Sequence, residues 1–370
     1  MADPEETGVP QTPDAQRALL EQLFKPEAGG KLGQADLRAA MTKLFGDKAR
    51  EAATPQVVAT VELAPDVEAR LRASFDKNMA VWDSLGVFTP EREARGHSKP
   101  TFEEYKAGFA RNQEFTKSGR PNELGKGYDT VNFVPMDVPL VSEDPEEQTM
   151  FSMLEKTLKE EFARGGQGQD KPANSLVIKT RRGQRMVRTE QQVDLNEILW
   201  AWKEGYLKQQ VVHRPTALAK KGHGGFSESE LLAHGTDVER KNGGFMRLQR
   251  SAIILPQDIG KETMSGQDWV GEKGKSIPKG VELQTAHDGI AFMIQFIKEH
   301  HYIPDAWTGT EATSQVALMP ETFFPDEGSS GAVAAANFVV KVRLFCLGRR
   351  SAVDRVSFRG VRGGVRINEA

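Results

Sequence analysis

The side chains that carry most enzymatic and metal chemistry are present here but scattered. The seven histidines are His97, His213, His223, His234, His287, His300 and His301. None falls in the His-Glu-x-x-His spacing that sets two imidazoles and a base on one helix face. His300 and His301 are adjacent, so on a helix they point about 100° apart and share a metal only with distortion. A helix C-terminus, where a histidine meets the negative end of the dipole, is the better reading for the pair. With Glu299 and Asp305 nearby in sequence, His287, His300 or His301 joined by a carboxylate is the enzymatic alternative.

The remaining motifs do not complete a chemistry. Gly271-Glu272-Lys273-Gly274-Lys275-Ser276 contains a Gly-Lys-Ser, but Trp269 stands where a phosphate loop needs its first glycine. Pro278 and Gly280 also deny it the following helix. Gly328-Ser329-Ser330-Gly331 is not a nucleophile elbow. Cys346 is the only cysteine; it lies in the apolar run Leu344-Phe345-Cys346-Leu347, where a buried, inert thiol is expected. One cysteine forms no internal disulfide and no multi-cysteine metal site. No glycine fingerprint of a dinucleotide site follows a strand. Catalytic residues stay unknown at this level, and no cofactor and no metal are expected.

The basic C-terminal segment is the most informative chemistry. Residues 340–370 hold 8 basic and 2 acidic side chains. Alternation in 340–344 places Lys341 and Arg343 on one strand face, and 355–359 repeats the pattern with Arg355 and Arg359. If these strands pair across 348–353, their four cations share a face. Arg349 and Arg350 then mark the turn, while Arg362 and Arg366 extend the set. Such a surface suits a phosphate-bearing polyanion. An ordinary wet strand face, kept soluble by its cations, explains the same residues.

The elements that must position these groups change character along the chain. Helical signals dominate first, after Asp14 and again from about Gln34. Asp66 is placed to cap a helix with Val67, Leu71, Phe75 and Met79 in one stripe and Gly86 as its stop. Thr101 and Glu104 have capping-box spacing before Tyr105. Residues 113–143 read as irregular. Asp144-Pro145-Glu146-Glu147 opens a helix bearing Met150, Phe151, Leu154 and Leu158, and 165–174 reads as a connection and domain boundary. Ser175–Thr180 and 185–188 flank a basic hairpin tip. Helices are expected from Asp194, with Trp200 and Trp202, from Ser227, and after Thr285, with Ile290, Met293, Ile294 and Ile297. Strands are expected at 251–255, 315–319, 338–347, 355–358 and 361–367.

The 370 residues suffice for two or three domains. A hydrophobic share of 38%, with 35 glycines and 19 prolines, points to a buried core plus sizeable polar loops. The net charge of −3 conceals alternating blocks: −9 over 1–170, +7 over 171–250, −7 over 251–339 and +6 over 340–370. No apolar run approaches the ~18–20 residues of a membrane span. The first residues lack the basic-then-apolar order of a signal peptide. A soluble, cytoplasmic protein is the expectation.

Residues 200–370 resemble uncharacterised bacterial hypothetical proteins. The resemblance rests on Gly225-Phe226-Ser227-Glu228-Ser229-Glu230-Leu231-Leu232, on the apolar stretch 252–256 ending in proline, and on 289–302 before a β-rich tail. It implies no activity, cofactor or partner.

The expected fold class is α+β, a helical N-terminal part followed by a mixed part with an antiparallel C-terminal sheet. The expected domains are a disordered tail over 1–13, a mainly helical domain over 14–165 and a mixed domain over 175–370. The leading functional expectation is a non-catalytic binding or interaction protein using its basic C-terminal β surface, with nucleic acid or an acidic protein surface as partner. An enzyme with a non-local His/carboxylate site and a structural or assembly component are the alternatives. No membrane partner is expected, and oligomeric state is left open.

Overall fold

A helix rich in apolar residues on more than one face has to be enclosed, and Ala286–His300 is largely so: residues 286–297 are all buried. Thr285 starts it. Its Oγ accepts from the Asp288 N–H (3.3 Å), and an Asp288 carboxylate oxygen accepts from the Thr285 N–H and hydroxyl, each at 2.8 Å. It ends at His301, left-handed at φ 57°, whose N–H donates to the Ile297 carbonyl (2.8 Å).

The chain is described from a computed structural model over residues 63–94, 99–106, 130–164, 175–180, 183–188, 212–213, 245–249, 252–271, 282–310, 312, 314–324, 331–339 and 344–366. The expected tail over 1–13 lies outside these residues. So do the helices after Asp14, Gln34, Asp194 and Ser227, the 165–174 connection, the Gly-Lys-Ser segment, and His97, His223 and His234. The described residues fall in one unit, Thr60–Ala370.

In chain order the helices are α1 (Pro65–Ser84), α2 (Pro90–Ala94), α3 (Met150–Arg164), α4 (Gly266–Gly271) and α5 (Ala286–His300); residues 102–106 are also helical. The strands are β1 (Thr130–Val134), β2 (Ser175–Thr180), β3 (Gly183–Arg188), β4 (Val212–His213), β5 (Phe245–Gln249), β6 (Glu282–Leu283), β7 (Ala306–Trp307), β8 (Val316–Phe324), β9 (Ala332–Val339), β10 (Leu344–Ser351), β11 (Arg359–Val361) and β12 (Gly363–Arg366). The chain is α+β, with helices in the N-terminal part and mixed sheet in the C-terminal part.

The α1 stripe buries Leu71, Phe75, Met79 and Trp82, and the helix stops before Gly86 at φ 76°. Asp66 does not cap it. Ala64 is the N-cap, Pro65 takes the first turn, and Asp66 accepts from Arg70 one turn on (3.0 Å). The Thr101–Glu104 capping box forms, with reciprocal bonds of 3.2 and 2.8 Å. α3 begins at Met150 rather than Asp144. Asp144 makes a local turn by accepting from the Glu146 N–H (2.9 Å), and Thr149 and Ser152 supply the cap instead. Residues 130–143 are more ordered than their prolines imply: β1 is followed by Met136, Val138 and Leu140, all buried at alternate positions.

α5 touches α1 and α3 among the helices and β1 and β8 among the strands. One core joins Trp82, Phe133, Phe151, Leu154, Ile290, Phe292, Phe296, Met319 and Ala334, so side chains from both sides of the 165–174 connection pack together.

β1, β5, β12 and β6 form an antiparallel sheet in that order. A second sheet runs β10-β9-β8-β11. Its first three strands are antiparallel, β11 runs parallel to β8, β7 parallel to β9, and β4 antiparallel to β8. β2 and β3 pair from Ser175↔Arg188 to Thr180↔Gly183, forming the expected hairpin.

β9 was not legible as a strand because alanine is a poor β former. Its alanines have a packing role. Ala332, Ala334 and Ala336 face the α5 core, while Val333 and Ala335 join a second cluster with Met264, Trp269, Leu318, Phe358 and Val361. Glycines mark the close approach on each side: a Cβ at Gly289 would stand 2.2 Å from Met319 Sδ, and one at Gly266 would stand 2.7 Å from Val333.

Candidate functional site

The structure distributes the basic C-terminal residues over several surroundings. The strand expected at 338–347 is two strand ends, β9 to Val339 and β10 from Leu344. Lys341 and Arg343 fall between them, outside the described residues. The 355–359 segment does not pair with this stretch. Val356 makes one bridge to Met264, and β11 pairs with β8 from Arg359↔Val316 to Val361↔Leu318. Gly360 permits this course, since a Cβ there would stand 2.2 Å from the Ile254 carbonyl oxygen. Ile254 itself makes a single bridge to Val361, in place of the strand expected at 251–255.

On β10, Arg349 is opposite Ala334 and Arg350 is opposite Val333, so alternation sends the two to opposite faces. Arg349 lies toward the α5 side, its guanidinium 5.6 Å from the Phe324 ring centre. Arg362 is fully enclosed. It donates two parallel bonds of 2.8 Å to Asp305, lies 4.4 Å over the Phe292 ring, and shares Asp305 with the Gln315 amide (3.1 Å). Arg366 stands opposite Arg247 in the first sheet.

Arg349, Arg350 and Arg359 are partly exposed, and Arg355 is exposed. Arg355 pairs with Asp268 of α4 (2.8 Å). Among the described residues no ion pair forms at Arg350 or Arg359. Burial lowers the Arg359 guanidinium below its ordinary value, the Arg350 charge lowers it further, and Asp354 opposes both. Burial raises the Asp268 carboxyl, but the Ser265 backbone and hydroxyl together with Arg355 outweigh this and hold it below its ordinary value.

A second polar group, not anticipated from spacing, surrounds the start of α5. Between Met319 and Phe323 the β8–β9 register shifts, and the bulged residues include Pro320, which has no N–H for the ladder. The bulge turns its side chains on the helix start: Leu283 N–H donates to Glu321 (3.2 Å) and Ala286 N–H to Thr322 (2.7 Å). Buried Arg247 of β5 contacts Asp288 and lies 3.3 Å from Glu282. Asn132, opposite Arg247 on β1, is enclosed with neither amide atom hydrogen-bonded. The helix after Thr285 was readable, but its Thr285–Asp288 capping box was not, and the partners of that box come from β5 and β8, distant in sequence.

The far end of α5 carries the other histidines. His287 sits in the first turn and His300 thirteen residues later, about 20 Å along the axis, so they share no site. His300 Nε2 is 3.9 Å from the Glu299 carboxylate, and its ring centre lies 4.4 Å from that of Phe296, tilted by 50°. Glu299 also accepts from Gln295 (3.0 Å). Burial raises its carboxyl above the ordinary value, against the lowering effects of Gln295 and Lys77. Burial likewise pushes the nearby Tyr105 phenol up, the bond to Ser74 opposing and Glu299 adding to it. His301 Nδ1 lies 3.1 Å from Glu161 of α3, with Arg164 against the same ring. The pair is thus at the helix C-terminus, each member with its own carboxylate.

Among the described residues no three His, Cys, Asp or Glu side chains are grouped to hold a metal ion, and no helix is long and apolar enough to cross a membrane. Comparison of the chain with family models, curated proteins and solved structures returned no match.

Proposed function

We propose that this is a non-catalytic binding protein whose C-terminal β surface holds an anionic partner through Arg350 and Arg359, with Arg355 beside them. The supporting observation is that Arg350 and Arg359 are both partly exposed and neither forms an ion pair among the described residues, whereas Arg355 beside them is held by Asp268. An incoming carboxylate or phosphate can therefore form charge-assisted bonds with both guanidiniums. The other C-terminal arginines contribute less to this surface, since Arg362 is committed to Asp305 and Arg349 faces Phe324.

The test is fluorescence anisotropy of the full chain at low salt with labelled poly-glutamate and a labelled single-stranded oligonucleotide. The expected result is binding that weakens with salt and falls about tenfold, ~1.4 kcal/mol, in Arg350→Gln/Arg359→Gln. No binding of either probe, or binding indifferent to the two substitutions, overturns the proposal.

The enzymatic alternative is supported by Glu299 and His300, a carboxyl held toward its protonated form 3.9 Å from an imidazole. It requires hydrolysis of an ester or phosphoester panel by the full chain that disappears in Glu299→Gln. Absence of turnover removes it.

A further inference from the structure

The surroundings of the solvent-facing arginines say which anion fits. α4 and the segment after β10 are joined there: the Gln267 N–H donates to the Ala352 carbonyl (2.9 Å), and Asp268 holds Arg355. Val270 on α4 and Val353 next to Ala352 are the two large apolar side chains left exposed among the described residues, at 39% and 45%. Val353 follows Ala352 in the segment between Arg350 and Arg355, and Val270 lies one helical turn on from Gln267. The neighbouring aromatic groups are withdrawn, with Trp269 fully buried and Phe358 5% exposed.

Two features weigh against a nucleic acid. Arg350, Arg355 and Arg359 share their neighbourhood with Asp268 and Asp354, which leaves a balance of +1. Polynucleotide binding draws its strength from neutralising many phosphates, about 6–10 in a strong complex, and carboxylates in the patch oppose that. Single strands further need exposed rings on which bases stack, and the buried Trp269 and Phe358 offer none. Arginine among apolar side chains is instead the composition of a protein interface. Carboxylates of a partner would meet Arg350 and Arg359, and its apolar side chains would cover Val270 and Val353.

Resting on the binding role proposed above, we infer that the partner is an acidic protein segment with interleaved apolar side chains, docking across Val270, Val353, Arg350 and Arg359. Asp268 and Asp354 then limit how acidic the segment can be, selecting mixed sequences over uniform runs of glutamate.

The experiment compares three charge-matched, labelled probes on the full chain: an alternating glutamate–leucine peptide, a glutamate–glycine peptide and oligo-uridine. The expected order places the glutamate–leucine peptide at least fivefold tighter than the other two. Val270→Ser/Val353→Ser should abolish that preference, whereas Arg350→Gln/Arg359→Gln should weaken both peptides. Oligo-uridine binding as tightly as the leucine peptide, or indifference to the valine substitutions, overturns the inference and leaves the binding role intact. Failure of all three probes overturns both. Unchanged circular dichroism and urea midpoint of each variant separate lost binding from lost folding.

Discussion

Arg359 and Arg362 are three residues apart and belong to the same basic block, yet they serve two different regions. The second closes the interior: its guanidinium is enclosed against Asp305 and over Phe292. The first lies at the surface beside Arg350, with no ion pair among the described residues. The difference follows from strand geometry. β11 brings Arg359 to the edge of the second sheet, and the chain then turns inward toward Asp305 before entering β12. A run of cations in a sequence thus mixes structural and surface charges, and only their partners separate the two.

The comparison can be broken most directly at Arg362. Arg362→Met leaves Asp305 buried with Gln315 as its remaining described partner, and is expected to cost about 3–5 kcal/mol in urea unfolding. Arg362→Met/Asp305→Leu should recover most of that loss; a single-variant cost near zero would mean that the site is wet. Gly289→Ala tests the interior from another direction. The added methyl meets Met319, and an overpacking cost of about 1–3 kcal/mol is expected by thermal unfolding, at the lower end if the flexible thioether moves. Thr285→Ala removes the cap of α5 and should cost about 1 kcal/mol, read from the denaturation midpoint.

Glu299 lies between the two extremes and is tested by pH. Its folded-state value is raised above the ordinary 4.5, so the folded chain binds more protons than the unfolded chain in that window. Stability contributed by the group therefore falls as pH rises from about 4.5 through the raised value. Glu299→Gln should flatten this slope in unfolding series at several pH values. The smallest effect is expected at the surface: Arg359→Gln should change stability by no more than about 0.5 kcal/mol, since it breaks no ion pair among the described residues. A loss above 2 kcal/mol would place Arg359 with the interior arginines.

The local signals in the sequence were reliable where the physics is local. Apolar stripes located α1, α3 and α5, and short-range capping chemistry located Thr101 and Glu104. Two cap positions shifted: α1 starts at Pro65, which leaves Asp66 inside its first turn, and Asp144 makes a local turn with Glu146 ahead of α3. β9 was hidden, since its alanines are selected by close helix packing and not by strand propensity. Strand pairing was also hidden: which strand β11 joins depends on a glycine fitting under a carbonyl some hundred residues earlier. For the same reason the network of Arg247, Glu282, Asp288 and Glu321 left no spacing to read.

Enclosure of α5 also has a consequence in time. α1 and α3 present Trp82, Phe151 and Leu154 to a helix that lies about 120 residues beyond the end of α3. At a synthesis rate of about 5–20 residues per second, that interval is on the order of ten seconds. Through it the N-terminal helices carry apolar faces whose principal cover has not yet been made. A ribosome-associated chaperone, or slow decoding between α3 and α5, would therefore affect the yield of this protein more than its final stability.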